Sequence, residues 1–171
     1  MDGATATASR AVGRIVSGYD RPDRPLAGYA AIMAGYGALM TGAATLLARR
    51  NRLSDRMRTS DVLLLAVATH KLSRTLAKDA VASPLRAPFT RFKGAAGPGE
   101  VNEDVRGVGA QKAAGELISC PFCLDQWVAS AFVVGLAAAP KFTRFVAGTF
   151  TVRAGADFLQ FAYAAAEHAA Q

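Results

Sequence analysis

Charge is scarce in this chain, and cysteine, histidine and tryptophan are scarcer still. Charged residues fill 19% of its 171 positions, where soluble domains carry roughly 25%. Hydrophobic residues reach 51% and are gathered into long blocks. The net charge of +7 lacks the basic stripe interleaved with aromatics that a nucleic-acid surface needs, so that partner is excluded. The bases stand at the edges of apolar blocks instead: Arg49, Arg50, Arg52, Arg56 and Arg58 after one, Lys141 and Arg144 between two others. Membrane-flanking charge has this distribution. Residues 1–25 have no continuous apolar core and mix Arg10, Arg14, Arg21 and Arg24 with Asp2, Asp20 and Asp23. That excludes a secretory signal there, and neither end carries a lipidation motif. Gly94, Gly97 and Gly99 lack the strand–helix context and the lysine of a phosphate loop. No serine sits in a nucleophile elbow, and no internal repeat is present.

What remains is a polar tail, 1–25, and a series of apolar blocks. Residues 26–48 run 23 positions without a charge and stop at Arg49-Arg50. At ~1.5 Å per residue such a helix crosses a hydrocarbon core of about 30 Å. Ala30, Ala34, Ala38 and Gly42 form a row of small residues at helical spacing, either a close-packing face or a generic feature of an alanine-rich segment. The pattern predicts a second helix over 61–83, with Ser60 before it and Pro84 ending it. Its second half carries His70, Lys71, Arg74, Lys78 and Asp79, and His70, Arg74 and Lys78 share one face. This helix either spans with its charged half inside a bundle or leaves the bilayer early and lies in the interface.

Residues 84–116 read as a polar connection, long for a loop and therefore functional or loosely ordered. A short helix over 113–119 leads to Cys120-Pro121-Phe122-Cys123. Residues 124–166 form a helical hairpin that turns at 140–144, its second arm interrupted by Arg153 and Asp157. These two are expected to neutralise each other along one helix; the alternative pairs Asp157 with Lys71 or Arg74 across the bundle, as a polar core of His70, Lys71, Arg74, Lys78, Asp79, Arg153 and Asp157. Trp127, Tyr29 and Tyr163 are expected as interfacial anchors. Basic residues near the helix ends divide seven against eight, nearly a tie, and the basic half of 61–83 tips both termini to the cytoplasm.

Cys120 and Cys123 leave three chemistries open. Unsatisfied N–H groups at a helix start favour a thiolate, which suits dithiol–disulfide exchange. Membrane thiol relays use a second cysteine pair, which this chain lacks, so that reading needs a partner. Structural zinc takes four ligands; His70 and His168 would complete the set with Cys120 and Cys123, or two chains would pool their thiolates. The third reading is a structural pair that fixes the entrance to the following helix.

Gly115-Glu116-Leu117 followed by Cys120-Pro121-Phe122-Cys123 and Trp127, with Arg74, Asp79, Pro84 and Arg86 upstream, resembles a family of small bacterial integral membrane proteins. It is catalogued as domain of unknown function family 1360. The resemblance covers about residues 60–167, leaving 1–25 and the helix 26–48 as additions, and it departs from the pattern at Asp125. It implies a membrane location and no established activity. The expectation is an all-α, multi-pass protein of the cell membrane with three or four transmembrane helices. Its partners are the lipid bilayer and a protein partner or second copy, with no nucleic acid. No cofactor is expected beyond the zinc alternative. The leading role is a non-enzymatic structural or interaction component. The alternatives are a partner-dependent thiol–disulfide oxidoreductase or redox sensor, and a small transporter-like component using the polar core.

Overall fold

A computed structural model describes residue 13 and residues 17–19, 24–53 and 57–170. The expected tail over 1–25 lies almost wholly outside the described residues, as does Arg56. Helix α1, Leu26–Arg49, follows the uncharged block and ends on its arginine. Helix α2, Thr59–Lys78, has Asp61 in its first turn and Lys78 in its last, charges that complement the helix dipole. It stops earlier than expected. A 3-10 turn over Ala80–Ala82 follows, then the short helix α3, Ser83–Arg86. Pro84 therefore opens a helix instead of ending one, because its missing N–H costs nothing in a first turn.

The polar connection is folded, which corrects the all-α expectation and the loosely ordered loop. Strands β1, Thr90–Gly97, and β2, Glu100–Val105, pair antiparallel from Thr90 opposite Val105 to Gly97 opposite Glu100. Gly99 turns the hairpin with φ of +75°, a conformation that other residues adopt at a cost. The strands alternate poorly because the hairpin is mostly solvent-exposed, so no period-2 signal marked them. Helix α4, Gly109–Ser119, leads through an extended Cys120 into α5, Pro121–Ala138. Ala139 alone separates α5 from α6, Pro140–Ala169. Both helices begin on proline, which presets the first turn.

The directions of these helices follow from their contacts. Tyr29 meets Glu116, and Tyr36 meets Ser130 seven residues further along; α1 and α5 run the same way. Asp61 meets Arg144, Thr151 donates to the carbonyl of Leu64, and Lys71 meets Asp157; α2 and α6 therefore run the same way as each other, opposite to α1 and α5. The core lies where α2, α5 and α6 converge, with Leu65, Ala68, Val128, Phe132 and Ala147 buried together. Helix α1 packs outside this core through the face bearing Gly28, Ile32, Tyr36, Ala43 and Leu47. The small row of Ala30, Ala34, Ala38 and Gly42 is exposed, so it is not the face that α1 presents to its neighbours.

Among the described residues, two helices are long and apolar enough to cross a membrane, Leu26–Arg49 and Pro121–Ala138. Three or four transmembrane helices were expected; by length and composition two qualify. Helices α2 and α6 are less apolar, and their charges meet across the bundle. Only 6% and 11% of the two apolar stretches are buried, unlike the core helix of a soluble domain.

Close approach of α1 to α4 depends on Gly28, where a Cβ would lie 2.8 Å from that of Ala113 and 3.2 Å from the carbonyl oxygen of Gly109. Gly28→Ala is expected to lose about 1–3 kcal/mol by overpacking. Gly35→Ala, with nothing within 4 Å, should keep or raise the melting midpoint. Thermal unfolding followed by circular dichroism compares the two, and an unshifted Gly28→Ala midpoint would refute the contact.

Candidate functional site

The expected polar core is assembled as separate cross-helix pairs. Lys71 on α2 is buried and bonded to Asp157 on α6. Arg153 on α6 reaches Asp79 at 2.6 Å and the hydroxyl of Thr75 at 3.0 Å. Arg153 and Asp157 thus partner α2 and do not pair with each other, a correction of the expected pairing along one helix. The reason is reach: both side chains point into the α2–α6 seam, where opposite charges wait. Arg74 leaves this seam and forks onto Glu100 of β2 at 2.6 and 2.8 Å. His70 is exposed, and Lys78 is half-buried at the end of α2.

A second charge centre is Arg86 of α3, 1% exposed. Its guanidinium bonds Glu103 of β2 at 2.7 and 3.1 Å, the carbonyls of Leu76 and Asp79 at 2.7 and 3.1 Å, and the Ser83 hydroxyl at 3.2 Å. It therefore caps the end of α2 and fastens the hairpin to it. Burial pushes the Glu103 carboxyl up, but hydrogen bonds from Arg86 and Thr90 outweigh it and hold it below the usual glutamate range. Nothing in the composition or periodicity points to this pair: Glu103 lies in a stretch without periodicity, and Arg86 stands out only among the residues that carry the family resemblance.

Arg86→Ala is expected to cost about 3–5 kcal/mol, because Glu103 would stay buried and unpaired. A carboxyl lowered by folding stabilises above its unfolded pKa, and that stability is lost as pH falls through its folded value. The hairpin should therefore loosen only below about pH 4. Glu103→Gln should be weaker at neutral pH and flatter below it. Hydrogen exchange of β1 and β2 amides across pH checks both, and equal profiles would refute the assignment.

The cysteines sit where α4 hands over to α5. Cys120 is extended, with φ −104° and ψ 109°, and is the N-cap of α5; its Sγ accepts the Cys123 N–H at 3.3 Å. The Cys123 Sγ–H is directed at the Cys120 Sγ, 2.7 Å away. Both are free thiols, Cys123 exposed and Cys120 half-buried. They open into a cavity of about 580 Å³ between α1, α4 and the start of α5, with Ile32, Met33 and Leu117 in its wall. The Tyr29 hydroxyl donates to Glu116 in the same wall. Trp127, expected as an interfacial anchor, packs edge-on against Tyr36 with centroids 5.2 Å apart. Tyr163 is exposed on α6.

The set of Cys120, Cys123, His70 and His168 is not assembled. Among the described residues no three His, Cys, Asp or Glu side chains are grouped to hold a metal. His70 lines a smaller cavity with Phe122 and Asp125, while His168 is exposed near the end of α6.

Comparison with known proteins sets this arrangement in a family. A curated relative is the "Sporulation protein YjcA" of Bacillus subtilis (strain 168), 32% identical over 83 residues, which cover 47% of this chain and 70% of that protein. No solved structure matches. The profile of a family described as "Protein of unknown function (DUF1360)" matches residues 64–163. That stretch runs from the core of α2 through the hairpin and the dithiol to Tyr163 of α6 and is more than half of the chain, which therefore belongs to the DUF1360 family.

Proposed function

We propose that this protein is a membrane-resident dithiol protein that exchanges Cys120 and Cys123 between thiol and disulfide forms. The observation that carries the reading is the direct contact of the two sulfurs, 2.7 Å apart, with Cys123 open to the outside. A purely structural role accounts for Cys120, which caps α5, but leaves Cys123 with nothing to do. A disulfide here would tie together residues already joined by the bonds from Cys123 and Leu124 N–H to the Cys120 carbonyl, 3.1 and 3.0 Å. Lys71, Arg74, Asp79, Arg153 and Asp157 of the polar core are held in ion pairs, which supports the expected scaffold role for the bundle and disfavours an open transport path. The B. subtilis relative is named for a process, sporulation, and the name supplies no chemistry.

Membrane residence is supported by the two apolar, little-buried helices. Since α1 and α5 run in the same direction, crossing by both requires the chain between them to return, and α2 is the element that does so. The end bearing Arg49, Arg50, Arg52, Arg58, Lys141 and Arg144 then carries only short connections, the pattern of a cytoplasmic face. The dithiol and the β1–β2 cap lie at the other end. This orientation is the reverse of the one expected, in which the basic half of 61–83 placed both termini in the cytoplasm.

The hydrogen bonds favour Cys120 as the attacking sulfur, since at the helix start it accepts both the Cys123 N–H and the Cys123 thiol, and exposed Cys123 resolves the mixed disulfide. Cys123→Ala is therefore expected to accumulate a mixed disulfide through Cys120, visible on non-reducing gels of acid-quenched cells, whereas Cys120→Ala accumulates none. If the pair is a staple, neither variant traps a partner and both melt at lower temperature. That outcome would remove the exchange reading.

A further inference from the structure

Resting on the dithiol reading, we propose that the cavity beside Cys120 and Cys123 binds a lipid-soluble quinone, which accepts the electrons of the thiol pair. Its volume of about 580 Å³ suits a small organic ligand. Ile32, Met33, Ala113 and Leu117 make its walls apolar, and its polar groups are few: Arg24, Tyr29, Glu116 and Ser119 besides the thiols. Met33 is 73% exposed on α1, a helix long and apolar enough to cross a membrane. A ligand dissolved in lipid thus reaches the cavity sideways past this residue.

The wall specifies the ligand's chemistry in three ways. The ligand must be mostly apolar, to replace water against Ile32, Met33 and Leu117. It must carry hydrogen-bond acceptors at one end, to meet Arg24, which has only donors to offer. It must take two electrons, because that is what a contacting dithiol releases. A quinone satisfies all three, whereas a water-soluble disulfide fails the first. In the step, the two S–H bonds break and one S–S bond forms between Cys120 and Cys123. The two electrons and two protons pass to the quinone, whose two carbonyl oxygens become the hydroxyls of the quinol. No other reactant is consumed, and the second cysteine pair that membrane thiol relays use becomes unnecessary.

The test uses the full chain, reduced and placed in lipid nanodiscs, with decyl-ubiquinone as the probe. Every ring position of that quinone is substituted, so a thiol cannot add to it and any thiol loss reports oxidation. The expected result is loss of both thiols per chain with formation of one quinol, read by thiol titration and quinol absorbance. Met33→Trp, which fills the mouth of the cavity, should slow this by at least about tenfold, as displacement of a bound reactant does. The same variant should react with oxidised glutathione at the wild-type rate. Oxidation by glutathione but not by the quinone would overturn the quinone site and leave the dithiol reading standing; oxidation by neither would overturn both. Equal quinone rates in wild type and Met33→Trp would overturn the assignment to this cavity.

Discussion

A charge carried into the helix bundle must meet an opposite charge from another element, and α2 is built around that requirement. Asp61, Lys71 and Asp79 are buried along its length, and each meets a residue of α6: Arg144, Asp157 and Arg153. Leaving one such charge unpaired costs several kcal/mol, more than a hydrophobic mismatch of one residue. The three pairs therefore act as register marks. Sliding α2 past α6 by a single turn would strand all of them, while the apolar contacts of Leu65 and Ala68 would tolerate the slip far better. With that register fixed, the entrance of α5 is fixed too, since α5 leads into α6 with only Ala139 between them.

The same requirement explains the folded connection after α2. Near the helix end Arg86 donates to the carbonyl of Leu76, and it also reaches the Asp79 carbonyl, which already accepts the Ala82 N–H. A buried guanidinium then needs a carboxylate, which β2 provides as Glu103, and Arg74 takes Glu100 from the same strand. The hairpin is thus held by charges and not by an apolar face. Its outer side is solvated, and nothing in its packing demands alternation.

That difference decides what could be read from the sequence. The apolar blocks at 26–48 and 124–139 were legible as helices within three residues at either end, because length and lack of charge are local properties. The turn expected over 140–144 is instead at Ala139, because Pro140 presets the first turn of α6 and opens it. The strands were not legible: Thr90 is the only buried side chain of β1, and Arg86 with Glu103 is a contact across 17 positions. The partner of Asp157 was undecidable for a similar cause. Arg153 stands one turn away on the same helix, and only the placement of α2 shows that the nearer cation is committed to Asp79. The small residues of α1 misled in the opposite direction. They form a regular row, but the helix packs through the aromatic and aliphatic face next to it, where Gly28 and Tyr36 meet α4 and α5.

The cysteine pair is the part whose position was plain from sequence and whose use depends on geometry. The turn that holds it is set by backbone bonds to the Cys120 carbonyl and by Pro121 at the first position of α5. The sulfur of Cys120 adds a single long bond to the Cys123 N–H. Because the turn does not depend on the sulfurs, joining them alters the end of α5 very little, and separating them again leaves no unsatisfied backbone group inside the bundle. A pair that must stabilise a fold would be placed where its bond is indispensable. Here the bond is dispensable to the fold, and one of its sulfurs faces outward beside an apolar cavity, which is the arrangement a reversible dithiol requires.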